Sequence, residues 1–264
     1  MNSLKRPRVR LAGLPPPCTP QEAPASGTVG RVAPLRSAEG HRHRQGTTED
    51  RGLPLVVGVT GASGAVLAMR LLEALARIDG IETHLVISEA ARLTIRAETG
   101  RHAEEIEALA DVAHRPQDIG AAIASGSFAT LGMVVIPCSM KTLSAIAHSY
   151  AADLLTRAAD VTLKEGRPLL LVVREAPLHL GHLRLMTQAA ELGAVIFPAV
   201  PAFYARPASV DDIVNNIVGR VLARLGVENE LYAAWPGLPA VPLRGSACDG
   251  PPSTRPPRAQ GDLR

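Results

Sequence analysis

One segment near the start of the apolar part of this 264-residue chain constrains its fold more than any other. An apolar run at residues 56–59 leads into the loop Thr-Gly-Ala-Ser-Gly at residues 60–64, and a helical pattern starts near Ala65. A buried strand, a glycine-rich turn and a helix in this order are typical of a parallel α/β sheet. We expect the backbone N–H groups at this helix start to face an anion.

A second segment repeats this arrangement. The apolar run at residues 133–136 ends in Pro137, Cys138 and Ser139, and another helical pattern starts near Thr142. Two strand ends of this kind in one sheet predict a phosphorylated cofactor that lies across their tips.

Apolar runs alternate with helical patterns along the whole middle of the chain. This alternation predicts an α/β fold with three layers, a Rossmann-like or flavodoxin-like parallel sheet with helices on both faces. The predicted strands are Leu55 to Val59, His84 to Ile87, Met133 to Ile136, Leu169 to Val173 and Val195 to Pro198. The predicted helices are Val66 to Arg77, a pair within Thr142 to Glu165 with Asp153 as a cap between them, and a last helix that Ser209 caps and that runs toward Gly226.

Composition divides the chain into three parts. Residues 1–52 and 236–264 are rich in Pro, Gly and Arg without an apolar period, which predicts a disordered N-terminal extension and a disordered C-terminal tail. Residues 53–235 are dense in Ala, Val, Leu and Ile and are long enough for one domain with a sizeable core.

The charge distribution argues against several classes of protein. The net charge of +3 belongs to the two ends, because residues 53–235 carry 15 Lys and Arg against 19 Asp and Glu. With 3% aromatic residues and no basic stripe, nucleic-acid binding is poorly supported, and no apolar run makes a good membrane span. Three cysteines without paired spacing, Cys18, Cys138 and Cys248, favour a reduced, cytoplasmic setting.

The loop at residues 60–64 does not by itself specify the cofactor. A dinucleotide enzyme is expected to carry an acidic residue at the end of the second strand to hold the ribose, and here that position is Ser88. The Tyr and Lys pair of short-chain dehydrogenases, four residues apart, is also missing. Flavin mononucleotide (FMN), which has one phosphate and no second ribose, fits these absences better.

Several other residues allow both a functional and a purely structural interpretation. Arg174 and Glu175 follow the strand that ends at Val173, where ligands gather in parallel sheets, but exposed ion pairs are also common. Lys164 and Glu165, read alone, are more typical of solvated charges at a helix end. Cys138 is more typical of packing than of a nucleophile.

Two further patterns have both a ligand interpretation and a simpler one. His179 and His182 could share a helix face, but the sequence offers no further ligand nearby to complete a metal site. The proline-rich loop at residues 198–207 carries Phe203 and Tyr204, which suits either the wall of an apolar pocket or edge packing.

Taken together, these segments resemble the UbiX-type flavin prenyltransferases, within the wider group of Rossmann-like flavoproteins that form trimers and dodecamers. The resemblance extends from Leu55 to about Trp235. It rests on seven segments in order: residues 60–64, Ser88, residues 137–144, residues 157–165, residues 173–180, residues 193–198, and Phe203 with Tyr204.

The resemblance implies an activity and a set of site residues. The activity is metal-independent transfer of a dimethylallyl group from dimethylallyl phosphate to N5 and C6 of reduced FMN. The implied FMN-binding residues are Gly61, Ala62, Ser63, Ser88, Ser139, Met140, Lys141, Thr142 and Arg174. The implied contacts to the prenyl phosphate are Lys164, Glu175, Tyr204 and Arg220. Glu98 and Trp235 are implied to close the site across subunits. The implied catalytic residues are Ser63, Glu98, Lys164 and Glu175.

The resemblance also implies partners. The prenylated FMN would pass to a UbiD-type decarboxylase, in ubiquinone or aromatic-acid metabolism, and the enzyme would form a homo-oligomer of up to twelve subunits. Two other hypotheses stay open at this point: a flavin-dependent cysteine decarboxylase, which needs a histidine near the flavin ring, and an FMN carrier subunit without catalysis.

Overall fold

The computed structural model describes residues 52–237. The predicted extension and tail, together with Cys18 and Cys248, lie outside the described residues. The chain divides into a unit that ends at Ala233 and a second unit that begins at Ala234. None of the helices within residues 52–237 has both the length and the apolar character needed to cross a bilayer.

The described part of the first unit contains six strands and seven α-helices in alternation. The strands are β1 (Leu53–Val59), β2 (Ile81–Ile87), β3 (Val112–His114), β4 (Gly132–Cys138), β5 (Leu169–Val173) and β6 (Val195–Ile196). The helices are α1 (Ala65–Leu75), α2 (Glu89–Thr99), α3 (Ala103–Glu107), α4 (Met140–Ala147), α5 (Leu154–Lys164), α6 (Leu180–Glu191) and α7 (Val210–Arg224). Two 3-10 turns lie at Ala122–Ala124 and Phe203–Ala205.

All six strands are parallel, in the order β3-β2-β1-β4-β5-β6. This order confirms the predicted α/β fold with a Rossmann-like parallel sheet. The strand order reverses between β1 and β4, and ligands of doubly wound sheets bind at the carboxyl ends of the strands beside such a reversal.

The two faces of the sheet form two separate parts of the core, because successive side chains of a strand point to opposite faces. Leu55, Val57 and Val59 pack with α1, α2, α3 and α7 on one face. Val56 packs with α4, α5 and α6 on the other face. The strands are buried on both faces, which explains their continuous apolar sequences.

The predicted elements are present, with shifted ends. β5 has the predicted bounds, and the predicted helix pair is α4 and α5, with Asp153 capping α5 through a hydrogen bond from the Thr156 amide at 2.8 Å. Ser209 caps α7, as expected. β6 ends at Ile196 rather than at Pro198.

Three helices and one strand were not predicted. Only Ala91 and Ile95 are buried in α2, and only Ala189 in α6, although α6 carries Leu180, Leu183 and Met186 at helical spacing. α3 has five residues, and β3 has three residues at the edge of the sheet. Elements this short leave no periodic signal.

Candidate functional site

The two predicted strand tips lie side by side. β1 pairs with β4 as far as Gly58 and Val135, and the loops that follow these strands leave the same edge of the sheet. The Thr60 hydroxyl joins them, since it donates a hydrogen bond to the Pro137 carbonyl at 2.7 Å and accepts one from the Ser139 amide at 2.8 Å. The structure therefore brings the two loops together at the reversal of strand order.

Glycine is required at two positions of the first loop. A Cβ atom on Gly61 would lie 2.6 Å from the Cβ atom of Ala90, so α2 approaches the loop too closely for any side chain. Gly64 has a φ of 113°, which L-residues rarely adopt, and it precedes α1. Ala62 and Ser63 lie between them and are half-buried.

Ser88 and Ser139 occupy equivalent positions at two helix starts. The Ser88 hydroxyl accepts a hydrogen bond from the Ala91 amide at 3.2 Å and caps α2. The Ser139 hydroxyl accepts one from the Thr142 amide at 3.3 Å and caps α4. Both serines therefore place the first turn of a helix at the carboxyl edge of the sheet, where its amides favour an anion.

A cavity of about 660 Å³ opens between these helix starts. The predicted residues Gly61, Ser88, Ser139, Lys141 and Thr142 all line it. Its volume lies within the range of about 300–1,000 Å³ that is usual for small-molecule sites. The cavity thus unites both predicted loops, with the Lys141 ammonium as a cation on its wall.

Two residues of the second loop point elsewhere. Met140 is partly buried, and its side chain packs against the core. Cys138 is fully buried, and burial raises the pKa of its thiol to about 12. The predicted packing role of Cys138 is confirmed, because a thiol with this pKa is protonated at neutral pH.

Glu98 lies against the start of α1 in its own chain. Its carboxylate accepts hydrogen bonds from the Gly64 and Ala65 amides, both at 2.9 Å. An anion does face this helix start, as predicted, but it is a side chain of the protein. The expected role of Glu98 toward a neighbouring subunit stays a prediction.

The ionisation of Glu98 depends on this arrangement. Burial alone would raise the pKa of the carboxyl group, but hydrogen bonds from the Ser63 side chain and from the Gly64 and Ala65 amides outweigh burial. The nearby positive charge of Arg174 acts in the same direction, so the net pKa lies below its ordinary value. Ser63, Glu98 and Arg174 therefore form one polar cluster with an ionised carboxylate.

Glu175 and Tyr204 lie at the same edge of the sheet. Glu175 follows Arg174 directly after β5, is exposed, and its carboxylate accepts a hydrogen bond from the Ala176 amide at 3.0 Å. Tyr204 lies in the 3-10 turn of the loop after β6, and this loop is tied to the end of β5 by the Ala199 amide, which donates to the Val173 carbonyl at 3.1 Å. Neither residue lines the 660 Å³ cavity.

Lys164 is not brought to this edge within one chain. α5 starts beside the cavity, which Asp153 lines, and Lys164 is its last residue. An eleven-residue helix is about 16 Å long, so Lys164 lies near the opposite, amino edge of the sheet. There it pairs with Glu165 and approaches Gly126.

Arg220 contacts the Tyr232 ring rather than the polar cluster. Arg220 is exposed, lies about 15 Å along α7 from the first residue of that helix, and places its guanidinium 5.8 Å from the centre of the Tyr232 ring. Trp235 belongs to the second unit, and its role stays a prediction.

The histidines do not build a metal site. The rings of His179 and His182 lie 3.6 Å apart, but His179 caps α6 by accepting a hydrogen bond from the Gly181 amide. Within residues 52–237, no group of three or more His, Cys, Asp or Glu side chains could hold a metal ion.

Other residues of the cavity had no assigned ligand role. Pro116, Gln117 and Ile119 line it from the loop that follows β3. No motif marks this loop, because it depends on a strand that the sequence did not reveal. Thr60 belongs to the recognised loop, but only the structure indicates what its hydroxyl contacts.

Known proteins resemble this chain over most of the described residues. The flavoprotein family model matches residues 43–222. The flavin prenyltransferase UbiX of Escherichia coli K12 is 61% identical over 185 residues, which cover 69% of this chain and 98% of that protein. The UbiX of Thauera aromatica is 54% identical over 183 residues, which cover 69% of this chain and 94% of that protein.

Two solved structures share the fold at high identity. AnUbiX in complex with FMN and dimethylallyl pyrophosphate is 46% identical, with a TM-score of 0.70, and the match covers 72% of this chain and all of that chain. A dodecameric FMN-dependent UbiX-like decarboxylase from Escherichia coli O157:H7 is 51% identical, with a TM-score of 0.69, over 70% of this chain and all of that chain. On these matches, the chain belongs to the flavoprotein family and, within it, to the UbiX flavin prenyltransferases.

Proposed function

We propose that this protein transfers a dimethylallyl group from dimethylallyl phosphate to N5 and C6 of reduced FMN. The observation that carries the proposal is the 61% identity to a flavin prenyltransferase over 98% of that enzyme's length. The polar cluster and the cavity at the carboxyl edge of the sheet support it, because they offer separate places for a phosphate and for a reacting ring.

The residues around the cavity fit the phosphate of FMN better than the start of α1 does. At α1 the amides of Gly64 and Ala65 already bind the Glu98 carboxylate, and a phosphate there would meet a like charge. At the starts of α2 and α4 the helix amides are capped by the neutral hydroxyls of Ser88 and Ser139 and Lys141 adds a cation, while the carboxylates of Glu89 and Asp153 line other parts of the cavity. We therefore assign Ser88 and residues 139–142 to the phosphate.

The opposite end of the FMN would then lie toward Ser63, Glu98 and Arg174. Reduced FMN supplies the nucleophilic atoms N5 and C6 and a π-electron surface. Ser63, held by the ionised Glu98, is placed to hold or relay the N5 proton, and Arg174 contributes a positive charge close by.

The phosphate of the prenyl donor needs cationic donors, because loss of an allylic phosphate leaves negative charge on the departing group. Tyr204, whose hydroxyl can donate a hydrogen bond to the departing phosphate, and Glu175, as the acid–base group, lie at the carboxyl edge of the sheet. Lys164 and Arg220 lie elsewhere in their own chain, so we propose that neighbouring subunits supply them. Trp235 is proposed to shield the site from water.

The proposal also covers the assembly of the protein, the fate of its product and its location in the cell. One relative is a dodecamer, which supports a homo-oligomer here. We propose that the product, prenylated FMN, passes to a UbiD-type decarboxylase. Cys138 is a buried free thiol, which supports a reducing, cytoplasmic setting.

Three parallel reactions separate this function from its alternatives. The protein with reduced FMN is supplied with dimethylallyl monophosphate or with the diphosphate, the protein with oxidised FMN is supplied with a cysteine-terminated peptide, and release of phosphate, pyrophosphate or carbon dioxide is measured. We expect release of phosphate or pyrophosphate with a prenyl donor. Carbon dioxide from the peptide would favour a cysteine decarboxylase, and FMN binding without either reaction would favour a carrier.

A further inference from the structure

Thr60 is a buried polar residue at the centre of the proposed FMN site. It is the first residue after β1, and its exposed fraction is only 2%. It lies between the strand and the Gly61–Gly64 loop but does not line the cavity. Its effect on a ligand must therefore pass through other residues.

The contacts of Thr60 replace the sheet pairing at the point where that pairing ends. The β1–β4 ladder stops at Gly58 and Val135. Two residues further along β4, Pro137 has no N–H group to donate, but its carbonyl accepts hydrogen bonds from the Thr60 hydroxyl at 2.7 Å and from the Thr60 amide at 3.3 Å. Thr60 thus extends the connection between the strands beyond the ladder.

The same hydroxyl also holds the start of the second loop. It accepts a hydrogen bond from the Ser139 amide at 2.8 Å, and Ser139 caps α4. The hydroxyl of the residue that precedes residues 61–64 is therefore hydrogen-bonded to two residues of the segment that leads into residues 139–142. Without this oxygen, the Ser139 amide would lose its partner inside the protein.

We propose that the Thr60 hydroxyl is a positioning group that sets the separation of the two loops that bind FMN. This inference rests on the proposed function, because it concerns the same site. It assigns to Thr60 control of FMN affinity and of the placement of FMN relative to the prenyl donor, without contact to either molecule.

The test compares two buried threonines that lose the same hydroxyl. Thr60→Val removes the connection between the loops. Thr162→Val is the matched control, because Thr162 is also buried, at 3% exposure, and its hydroxyl donates at 2.7 Å to the Ala158 carbonyl within α5. Thr60→Ser restores a hydroxyl, and Thr60→Ala is a second variant without one, in case the valine variant does not fold.

For each variant, the thermal midpoint and the dissociation constant for FMN are measured on the full chain. We expect Thr60→Val or Thr60→Ala to weaken FMN binding by about tenfold or more, consistent with loss of a buried hydrogen bond. Thr60→Ser should recover most of the affinity. Thr162→Val should lower the midpoint but leave the dissociation constant within about twofold of the wild-type value.

The inference is wrong if the Thr60 variants without a hydroxyl bind FMN as tightly as Thr162→Val does. It is also wrong if Thr60→Ser binds as weakly as Thr60→Ala. If the wild-type protein binds FMN but transfers no prenyl group, the proposed function is wrong, and the comparison of FMN dissociation constants still decides the role of Thr60. Wild-type protein that binds no FMN would overturn both.

Discussion

The Glu98 carboxylate accepts a hydrogen bond from the Gly64 amide at 2.9 Å, so an acidic side chain of α2 caps the start of α1. This contact joins α2, a helix that was not predicted from the sequence, to the loop at residues 60–64, which the sequence indicates most clearly. It places a permanent negative charge beside Ser63 and excludes the phosphate of a ligand from this helix start. The orientation proposed for FMN follows from it.

Glu98→Gln should destabilise the protein by about 0.3–1 kcal/mol, because the side chain keeps an acceptor for the α1 amides but loses the charge that favours the helix dipole. The pKa of Glu98 is lowered from its ordinary value of 4.5, so its contribution is complete above that pH and is lost as the pH falls through the lowered pKa. Denaturant unfolding at pH 7 and near pH 3 measures this difference.

The control for Glu98→Gln is Glu191→Gln, which removes an exposed carboxylate at the last residue of α6. Loss of a negative charge from a helix C-terminus should be neutral or slightly stabilising. Equal destabilisation by both variants at pH 7 would contradict the capping role of Glu98.

The separation of Lys164 from Glu175 predicts complementation between subunits. Lys164→Ala and Glu175→Ala should each abolish prenyl transfer while FMN still binds. Subunits of the two variants that are unfolded together and reassembled should regain activity, because some sites receive the intact Lys164 of one chain and the intact Glu175 of another.

The matched control mixes Glu175→Ala with Arg174→Ala, since these two residues are neighbours on one loop and reassembly cannot place them in different halves of the site. This mixture should stay inactive. If the Lys164 and Glu175 variants also stay inactive when mixed, although hybrid oligomers form, the assignment of Lys164 to a neighbouring subunit is wrong.

The buried thiol of Cys138 should take no part in the reaction. Its pKa of about 12 keeps it protonated at neutral pH, and it has no exposed surface. Cys138→Ala should therefore retain activity within about threefold, despite a stability loss of about 1 kcal/mol from the vacated volume. A turnover assay with the reduced FMN acceptor checks this; abolished turnover in a folded variant would give the thiol a catalytic role.

His84 and His114 should make stability depend on pH in a different range. Nδ1 of His84 lies 3.0 Å from Nε2 of His114. Burial lowers the pKa of both rings below 6.5. The carboxylates of Glu82 and Asp111 oppose this shift at His84, and the carboxylate of Asp118 opposes it at His114. A lowered histidine pKa means that the unfolded chain binds protons first, so stability should fall as the pH drops below about 6.5.

The double variant His84→Gln/His114→Gln should flatten the dependence of unfolding free energy on pH between 7.5 and 5.5. His148→Gln is the control, because His148 is exposed. An unchanged slope in the double variant would show that the histidine pair does not carry this effect. The range lies well above that of Glu98, so the two titrations can be measured separately.

The sequence predicted the parts of the fold that carry a local signal. β5 is a continuous apolar run, and Ser209 with Asp212 forms a capping box that marks the start of α7. α2 and α6 were not predicted; they bury few residues in the core, and their positions depend on contacts with the rest of the fold.

The residues of the candidate site also divide into those that have a local sequence signal and those that do not. Gly61 and Ser139, one from each loop, line the same cavity because in both loops the motif coincides with a strand end, and their binding of FMN stays a prediction. The position of Glu98 on its own α1 had no local signal, since it is set by the packing of α2 beside α1 across 34 residues of sequence. Lys164 has a local environment typical of a surface ion pair, and the role that we propose for it depends on a neighbouring subunit.

Prenyl transfer to FMN is tested by the mass and absorption spectrum of the flavin released after reaction. The purified protein is incubated without oxygen with reduced FMN and dimethylallyl monophosphate, and then with the diphosphate in a second sample. We expect a flavin that is heavier by one five-carbon unit and has an altered spectrum. Recovery of unmodified FMN from both samples, by protein that binds FMN, would contradict prenyl transfer.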